Sequence, residues 1–379
     1  MGASDILKGY LYYNYEIFGR YNMRKPFSVV LVGLVLLALI VFVGCNKEKS
    51  QEAPESTTQV ATAPVTDDAT KGAKVMIKIA HVSQAGVPID VASNKIGELL
   101  SERTGGRMTA RVFPASALGN NTELLEQMQA GTLEMAISSV AFLGAFTQTT
   151  KLLDLPYLFK SNEAAQEVLD GPVGQTMFAD LRKAGFTGLA WMATGWRHLT
   201  ANKEIRTPND LKGLKIRVME NQMHIDHFNT LGASAVPMAF SELYTALQNG
   251  TMDCQENPFA NIDGNRLYEV QKYVMKTGHI YDTSPLLASS MWWDTLSKAD
   301  QQLIQDVVSE VLGYERILSA ENELVVENKL NLNGKNVVVT LTDEERSAFR
   351  NAAQPVYVKY APQIGAELIA QVDAVNAKY

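Results

Sequence analysis

Two arginines, Arg197 and Arg217, lie twenty residues apart in strand-like stretches. The first sits in Gly195-Trp196-Arg197-His198-Leu199-Thr200. The second sits in Leu214–Met219, where Leu214, Ile216 and Val218 share one face by the period-two rule. Arg217 points to the other face, beside Lys215 and Met219. A guanidinium among apolar neighbours needs an anion, because an unpaired buried charge costs several kcal/mol. Its planar fork suits a carboxylate, to which it donates two parallel hydrogen bonds. The anion comes either from an acid of the protein or from a ligand, and the local pattern leaves both open.

Other chemistries are less well supported. His224-Ile225-Asp226-His227 puts two imidazoles three residues apart on one helix face, a spacing found at metal sites. No third or fourth ligand is placed by the pattern, so a polar helix face is the simpler reading, and no metal or cofactor is expected. Nucleophilic catalysis would have to pair Ser138-Ser139 or Cys254 with one of five histidines. There is no G-x-S-x-G elbow and no oriented base, so no enzyme is expected. The absence of a P-loop and of G-x-G-x-x-G gives no indication of a nucleotide site. Cys254 reads as a small buried hydrophobe.

The elements that must position the arginines follow from periodicity. Val75–Val82, Arg107–Phe113 and Leu133–Val140 are strand patterns, separated by helical patterns at Pro88–Arg103 and Thr122–Gln129. This β-α-β-α-β order predicts a parallel sheet flanked by helices. Further strands are expected at Phe186–Thr194, Leu214–Met219, Ala233–Met238 and Val337–Leu341. Helices are expected at Met223–Leu231, Ser241–Asn249 and Ser297–Asn331, with Asp343–Tyr379 mostly helical. The pattern implies an α/β protein of two halves. Ligands in such sheets bind beyond the carboxyl ends of strands, where Arg217 and Ser138-Ser139 fall, and a cleft between halves favours a pocket.

The bulk properties agree. A chain of 379 residues, 46% hydrophobic and 20% charged, reads as globular and is long enough for two cores. Net charge is −7, with no basic stripe or tail, so no nucleic-acid partner is expected. Arg24 and Lys25 precede the apolar run FSVVLVGLVLLALIVFVG, a basic region and hydrophobic region of signal-peptide form. Its ending, Val43-Gly44-Cys45, resembles the lipobox of bacterial lipoproteins, so lipidation at Cys45 is expected; the alternative is a transmembrane anchor. Met23 directly precedes the basic pair and would start a signal peptide of ordinary length. Residues 46–72 are rich in Ser, Thr, Ala, Pro and charge and read as a tether. With Cys45 lipidated, Cys254 is the one remaining thiol and forms no internal disulfide.

Several segments in order resemble one family. They are Thr104-Gly105-Gly106-Arg107, Leu118-Gly119, Leu155-Pro156-Tyr157-Leu158-Phe159, Asp210–Val218 (DLKGLKIRV), Pro237–Tyr244 (PMAFSELY), Gln255-Glu256-Asn257-Pro258 and Tyr268–Tyr273 (YEVQKY). Over about residues 74–370 the chain resembles the substrate-binding proteins of tripartite ATP-independent periplasmic (TRAP) transporters, which take dicarboxylates and sugar acids. The resemblance implies a periplasmic-binding-protein-like α/β fold of two domains with a cleft between them and a long helix spanning both; Ser297–Asn331 is the candidate helix. It implies residues 73–194 with 283–322 as one domain, and 195–282 with 323–379 as the other, after a signal segment (1–44) and a tether (45–72).

The resemblance also implies roles. Arg217 forms the main salt bridge to a ligand carboxylate, Arg197 assists, Asn257 hydrogen-bonds the same region and Phe240 lines the pocket. Ser139 and His81 complete the expected set. Two positions depart from the family pattern: Cys254 stands where the family usually has glycine, which puts the local backbone geometry in question. Ser138-Ser139-Val140 stands where sialic-acid binders carry an acid, which argues against an amino- or polyhydroxyl-bearing sugar acid. The expected function is a periplasmic, membrane-anchored lipoprotein that captures an organic acid for the membrane subunits of a transporter. The alternative is a sensor of the same fold that presents the acid to a receptor.

Overall fold

The computed structural model describes residues 72–379. The expectations for the apolar run, Cys45 and the tether lie outside the described residues. Strand β1 (Val75–His81) leads through α1 (Pro88–Arg103) to β2 (Met108–Phe113), and α2 (Asn121–Gln129) leads to β3 (Met135–Ile137). Pro88 opens α1, where its missing N–H costs no helical bond. Asn120 and Glu123 form a reciprocal capping box on α2. β1 pairs in parallel with both β2 and β3, as the alternation of patterns predicts.

Two helices not anticipated from the pattern follow, α3 (Asn162–Asp170) and α4 (Pro172–Lys183). β4 (Phe186–Ala201) extends well past the predicted end at Thr194. Then come β5 (Lys215–Val218), α5 (Gln222–Thr230), β6 (Ser234–Pro237), α6 (Leu243–Gln248), β7 (Cys254–Pro258), α7 (Phe259–Gly264), β8 (Tyr273–Lys276) and β9 (Tyr281–Ser289). The chain closes with α8 (Ser290–Trp293), α9 (Lys298–Leu332), β10 (Val337–Thr340), α10 (Asp343–Ala352), α11 (Gln354–Ile364) and α12 (Ala366–Asn376).

The strands lie in the order β2-β1-β3-β9-β4-β7-β5-β6, with β8 joining β4 to β10. Side chains alternate between two cores on opposite faces of the first half. Ile79, Met135, Ile137, Leu286 and Met192 enter one core, while Ala80, Ala136, Leu287 and Trp191 enter the other. In the second half, Leu199, Ile216, Val218 and Cys254 enter one core, and Val274 enters another with Leu243 and Ile262. α9 spans both halves: Ile304, Val307, Val308 and Val311 belong to a first-half core, and Val326 and Leu330 to a second-half core. Farther on, Val339 and Phe349 pack in the second half, whereas Val356, Tyr360, Ile364 and Val372 pack with the first.

β4 is the strand that both halves share. Phe186–Trp196 pairs with β9, while Arg197–Ala201 pairs with β7 and, in part, with β8. The crossover carries a register shift at Ala193/Gly195, and Gly195 has φ +108, a conformation that L side chains rarely adopt. Two carboxyls from α9 receive the main chain there. Glu315 accepts from Ala193 N at 3.0 Å and Glu323 from Trp196 N at 2.8 Å. The long helix thus fixes the backbone immediately before Arg197.

Glu315 is buried, and its Oε1 has no hydrogen-bond partner. Burial pushes its carboxyl up from 4.5 to about 8. A raised folded-state value means that the stabilising contribution is complete below the unfolded value and is lost as pH rises through the folded one. Urea unfolding at pH values spanning 4.5 to 8 is therefore expected to show the parent losing stability relative to Glu315→Gln, by on the order of a few kcal/mol. Parallel pH profiles for the two proteins would refute this assignment.

Candidate functional site

The edges of the two halves line a cavity with about 450 Å³ of free space, part of it open to solvent. Arg217, Arg197, Asn257, Phe240, Ser139 and His81 all line it. The first half supplies the ends of β1 and β3 and the loops beyond them. The second supplies β5, β7 and the turn after β6. Across the mouth, Gln84 Nε2 donates to Asn265 Oδ1 at 3.0 Å, and Ser83 Oγ to Asn261 Oδ1 at 3.5 Å.

The two arginines meet opposite fates. Arg197 is fully buried and consumed by the protein. Its Nε and Nη2 clasp the Glu256 carboxylate, and its Nη1 donates to Asp282. Nη2 also reaches the Glu256 carbonyl at 2.8 Å and Asn257 Oδ1 at 3.3 Å. Burial alone would lower the Arg197 pKa, but the two carboxylates outweigh it and raise it. Glu256 is desolvated too, yet Arg197 and His279 hold it well below the usual carboxylate range. Its Oε2 lies 3.0 Å from His279 Nε2. Burial raises Asp282, against the lowering effects of Arg197 and of Ser139, whose Oγ donates to Oδ1 at 2.9 Å.

Arg217 has no such partner. Ile216 and Val218 enter the core on one face of β5, which turns Arg217 to the other face as the alternation predicts. Its Nε and Nη2 both donate to the Met238 carbonyl, at 2.9 and 2.6 Å. Nη1 is buried without any hydrogen-bond partner, and no carboxylate pairs with this guanidinium among the described residues. Burial pulls its pKa down to about 10. Phe240 lies beneath, its ring centroid 5.8 Å from Cζ, and shields one face from water. The arrangement is an aimed cation in a polar cavity, with one edge of its fork free.

The remaining predicted residues fall into place around it. Asn257 Nδ2 is tied to Gln255 Oε1 at 2.5 Å, and its Oδ1 accepts from Asn261 at 3.3 Å. His81 Nδ1 lies 3.1 Å from Ser83 O, and Nε2 lies 3.3 Å from Asp90 Oδ1. His224 sits against Asp154 at 3.0 Å, and the His227 ring packs on Phe228 and His279. Cys254 is an ordinary ladder residue of β7, buried in a core, with its thiol pushed up to about 12 by burial. Serine or glycine chemistry is thus not needed there.

Two residues of the site were not singled out from sequence. Glu256 lies inside a quoted motif, but its polar neighbours Gln255 and Asn257 give no sign that it is buried between Arg197 and His279. Asp282 carries no local signal. Only the antiparallel pairing of β9 with β4 brings it, at register with Gly195, beside Arg197.

Residues 79–363 match the family model described as bacterial extracellular solute-binding protein, family 7. The chain is 35% identical over 291 residues to the 2,3-diketo-L-gulonate-binding periplasmic protein of Escherichia coli K12, covering 76% of this chain and 88% of that one. It is 34% identical over 306 residues to the C4-dicarboxylate-binding periplasmic protein of Rhodobacter capsulatus, covering 80% and 92%. A TRAP periplasmic solute-binding protein from Polaromonas sp. JS666, solved bound to D-erythronate, superposes with a TM-score of 0.76 at 35% identity, covering 79% of this chain and 99% of that one.

A buried cation without a counter-ion is a cost to the fold. Replacing it by an apolar chain removes a desolvation penalty on the order of several kcal/mol per buried ion. Arg217→Met, purified without added acid, is expected to be at least as stable as the parent in urea unfolding. A loss of more than about 1 kcal/mol would show that Arg217 is compensated within the protein.

Proposed function

As the chain belongs to family 7 of the bacterial extracellular solute-binding proteins, we propose that it captures an organic acid anion outside the cytoplasm for the membrane subunits of a TRAP transporter. The observation that carries this reading is the unmatched Arg217 Nη1 in a cavity lined largely by polar residues. The ligand carboxylate lies against Arg217 and takes the free edge of its fork. Arg197 assists: Nη1 carries two hydrogens and meets one acceptor, Asp282, so one N–H remains for the ligand. Asn257, Phe240, Ser139 and His81 complete the wall around it. The protein binds and releases, and no step makes or breaks a bond.

Removing one member of a buried charge pair typically costs about 2–5 kcal/mol, roughly 30- to 5000-fold in affinity. In calorimetry with the tightest acid from a panel, Arg217→Ala is expected to lose binding on that scale while remaining folded. Arg217→Lys keeps the charge but not the fork and recovers part of the loss. Near-parental affinity in Arg217→Ala would overturn the reading.

The N-terminal features support anchoring. A basic pair, an apolar run and Cys45 in sequence form a lipoprotein signal, so the mature protein begins at a lipidated Cys45 and is held at the membrane by the tether. Intact-mass analysis of membrane-extracted protein is expected to show loss of residues 1–44 and an added lipid mass. Unchanged maturation of Cys45→Ala would refute it.

A further inference from the structure

The charges around the cavity restrict the ligand further. Two cations line it, Arg197 and Arg217, and no lysine does. Arg197 is already paired with Glu256 and Asp282. His81 offers no free cation, because the Asp90 carboxylate stands 3.3 Å from its Nε2. Arg217 alone offers an uncompensated charge. The rest of the polar lining is neutral: Ser83, Asn121, Thr194, Asn261 and Ser284 present hydroxyls and amides. One acid, Asp282, faces the same space.

We infer that the site accepts one carboxylate only, and that Asp282, the second acid beside Arg197 and the one that faces the cavity, is the residue that sets this limit. The ligand is then a small monocarboxylate whose remaining carbons carry hydroxyl or carbonyl groups; this departs from the expectation drawn from Ser138-Ser139-Val140, because Ser83, Asn121, Thr194, Asn261 and Ser284 offer hydroxyl and amide partners elsewhere in the lining. This deepens the acid-capture reading and rests on it. The first carboxylate meets Arg217. A second, at the far end of a diacid, would leave water for a wall with no free cation and with the Asp282 carboxylate nearby. Buried charge without a partner is strongly unfavourable, whereas a hydroxyl there exchanges water for Ser, Thr and Asn partners at little cost. The free space of about 450 Å³, part of it open to solvent, limits the ligand to a small molecule. Ser139 fits the same scheme. Its hydroxyl is committed to Asp282 Oδ1, which orients the carboxylate toward Arg197 and not toward the ligand.

The test is a calorimetric panel on the intact protein. One group holds hydroxylated monocarboxylates of four to six carbons, including D-erythronate, aldonates and uronates. The other holds succinate, malate and fumarate. The tightest monocarboxylate is expected to bind about 100-fold more tightly than any diacid. A diacid within tenfold of it, or ahead of it, overturns the inference while leaving acid capture intact. Binding by neither group overturns acid capture itself. Asp282→Asn then addresses the residue. It keeps the shape, retains an acceptor for Arg197 and removes one of the two negative charges held against that guanidinium, while Glu256 stays paired with it. The ratio of diacid to monocarboxylate affinity is expected to rise at least about tenfold, a change that a general loss of packing would not produce. An unchanged ratio in a folded variant removes Asp282 from this role. Where the variant does not fold, the panel on the parent protein still decides the charge limit.

Discussion

The site depends on a pair of like charges given unequal treatment. Two guanidiniums are buried in one cavity wall, and each would be costly to desolvate alone. Glu256 and Asp282 neutralise Arg197 and turn it into a rigid part of the wall. That leaves Arg217 as the charge that the protein does not answer. Its geometry is nevertheless fixed, because one carbonyl, that of Met238, holds two of its nitrogens. The unanswered charge costs stability, and the fold tolerates it because the β5 backbone around it is clamped on both sides, by β6 and by β7.

The surrounding architecture exists to keep this arrangement in register. β4 delivers Arg197 to the point where the two halves meet, and β9 runs antiparallel to it and delivers Asp282. The crossover requires a bulge and a glycine at positive φ, and both are stabilised from α9 by Glu315 and Glu323. A helix that is buried in one core near its start and in another near its end holds the two halves of the cavity wall against a common support. Position at the site is therefore set by long-range contacts, which explains why the chemistry sits beyond strand ends and not within a single loop.

How much of this was legible in the sequence follows from what each residue does. β1, β2, α1 and α2 were readable because their apolar residues recur with the period of the element and end at Gly, Pro or capping residues. Arg217 was readable for the same reason: the clean alternation of Leu214, Ile216 and Val218 leaves it on the opposite face. β7 was not read as a strand, because Gln255, Glu256 and Asn257 are polar yet fully buried, and their inward positions serve the ion network instead of a core. β9 was missed because Pro285 and several hydroxyl residues disguise it, although Pro285 sits in a paired strand opposite Trp191. α3 and α4 did leave signals, a serine cap at Ser161 and a proline at the first position of α4. The partner of Arg197 was not readable, since Glu256 and Asp282 reach it only through the pairing of three distant strands.

The separation of tasks along the cavity wall has an evolutionary consequence. The anchor, made of Arg217, the Met238 carbonyl and Phe240, belongs to β5 and the turn after β6. The groups that face the rest of the cavity come from elsewhere: Ser83 and Ser139 from loops after strands of the first half, Asn121 from the start of α2, and Asp282 and Ser284 from β9. Substitutions on one set leave the other standing. A lineage carrying this fold can therefore change its diet by drift in a handful of neutral or acidic side chains, while the grip on the carboxylate is inherited unaltered.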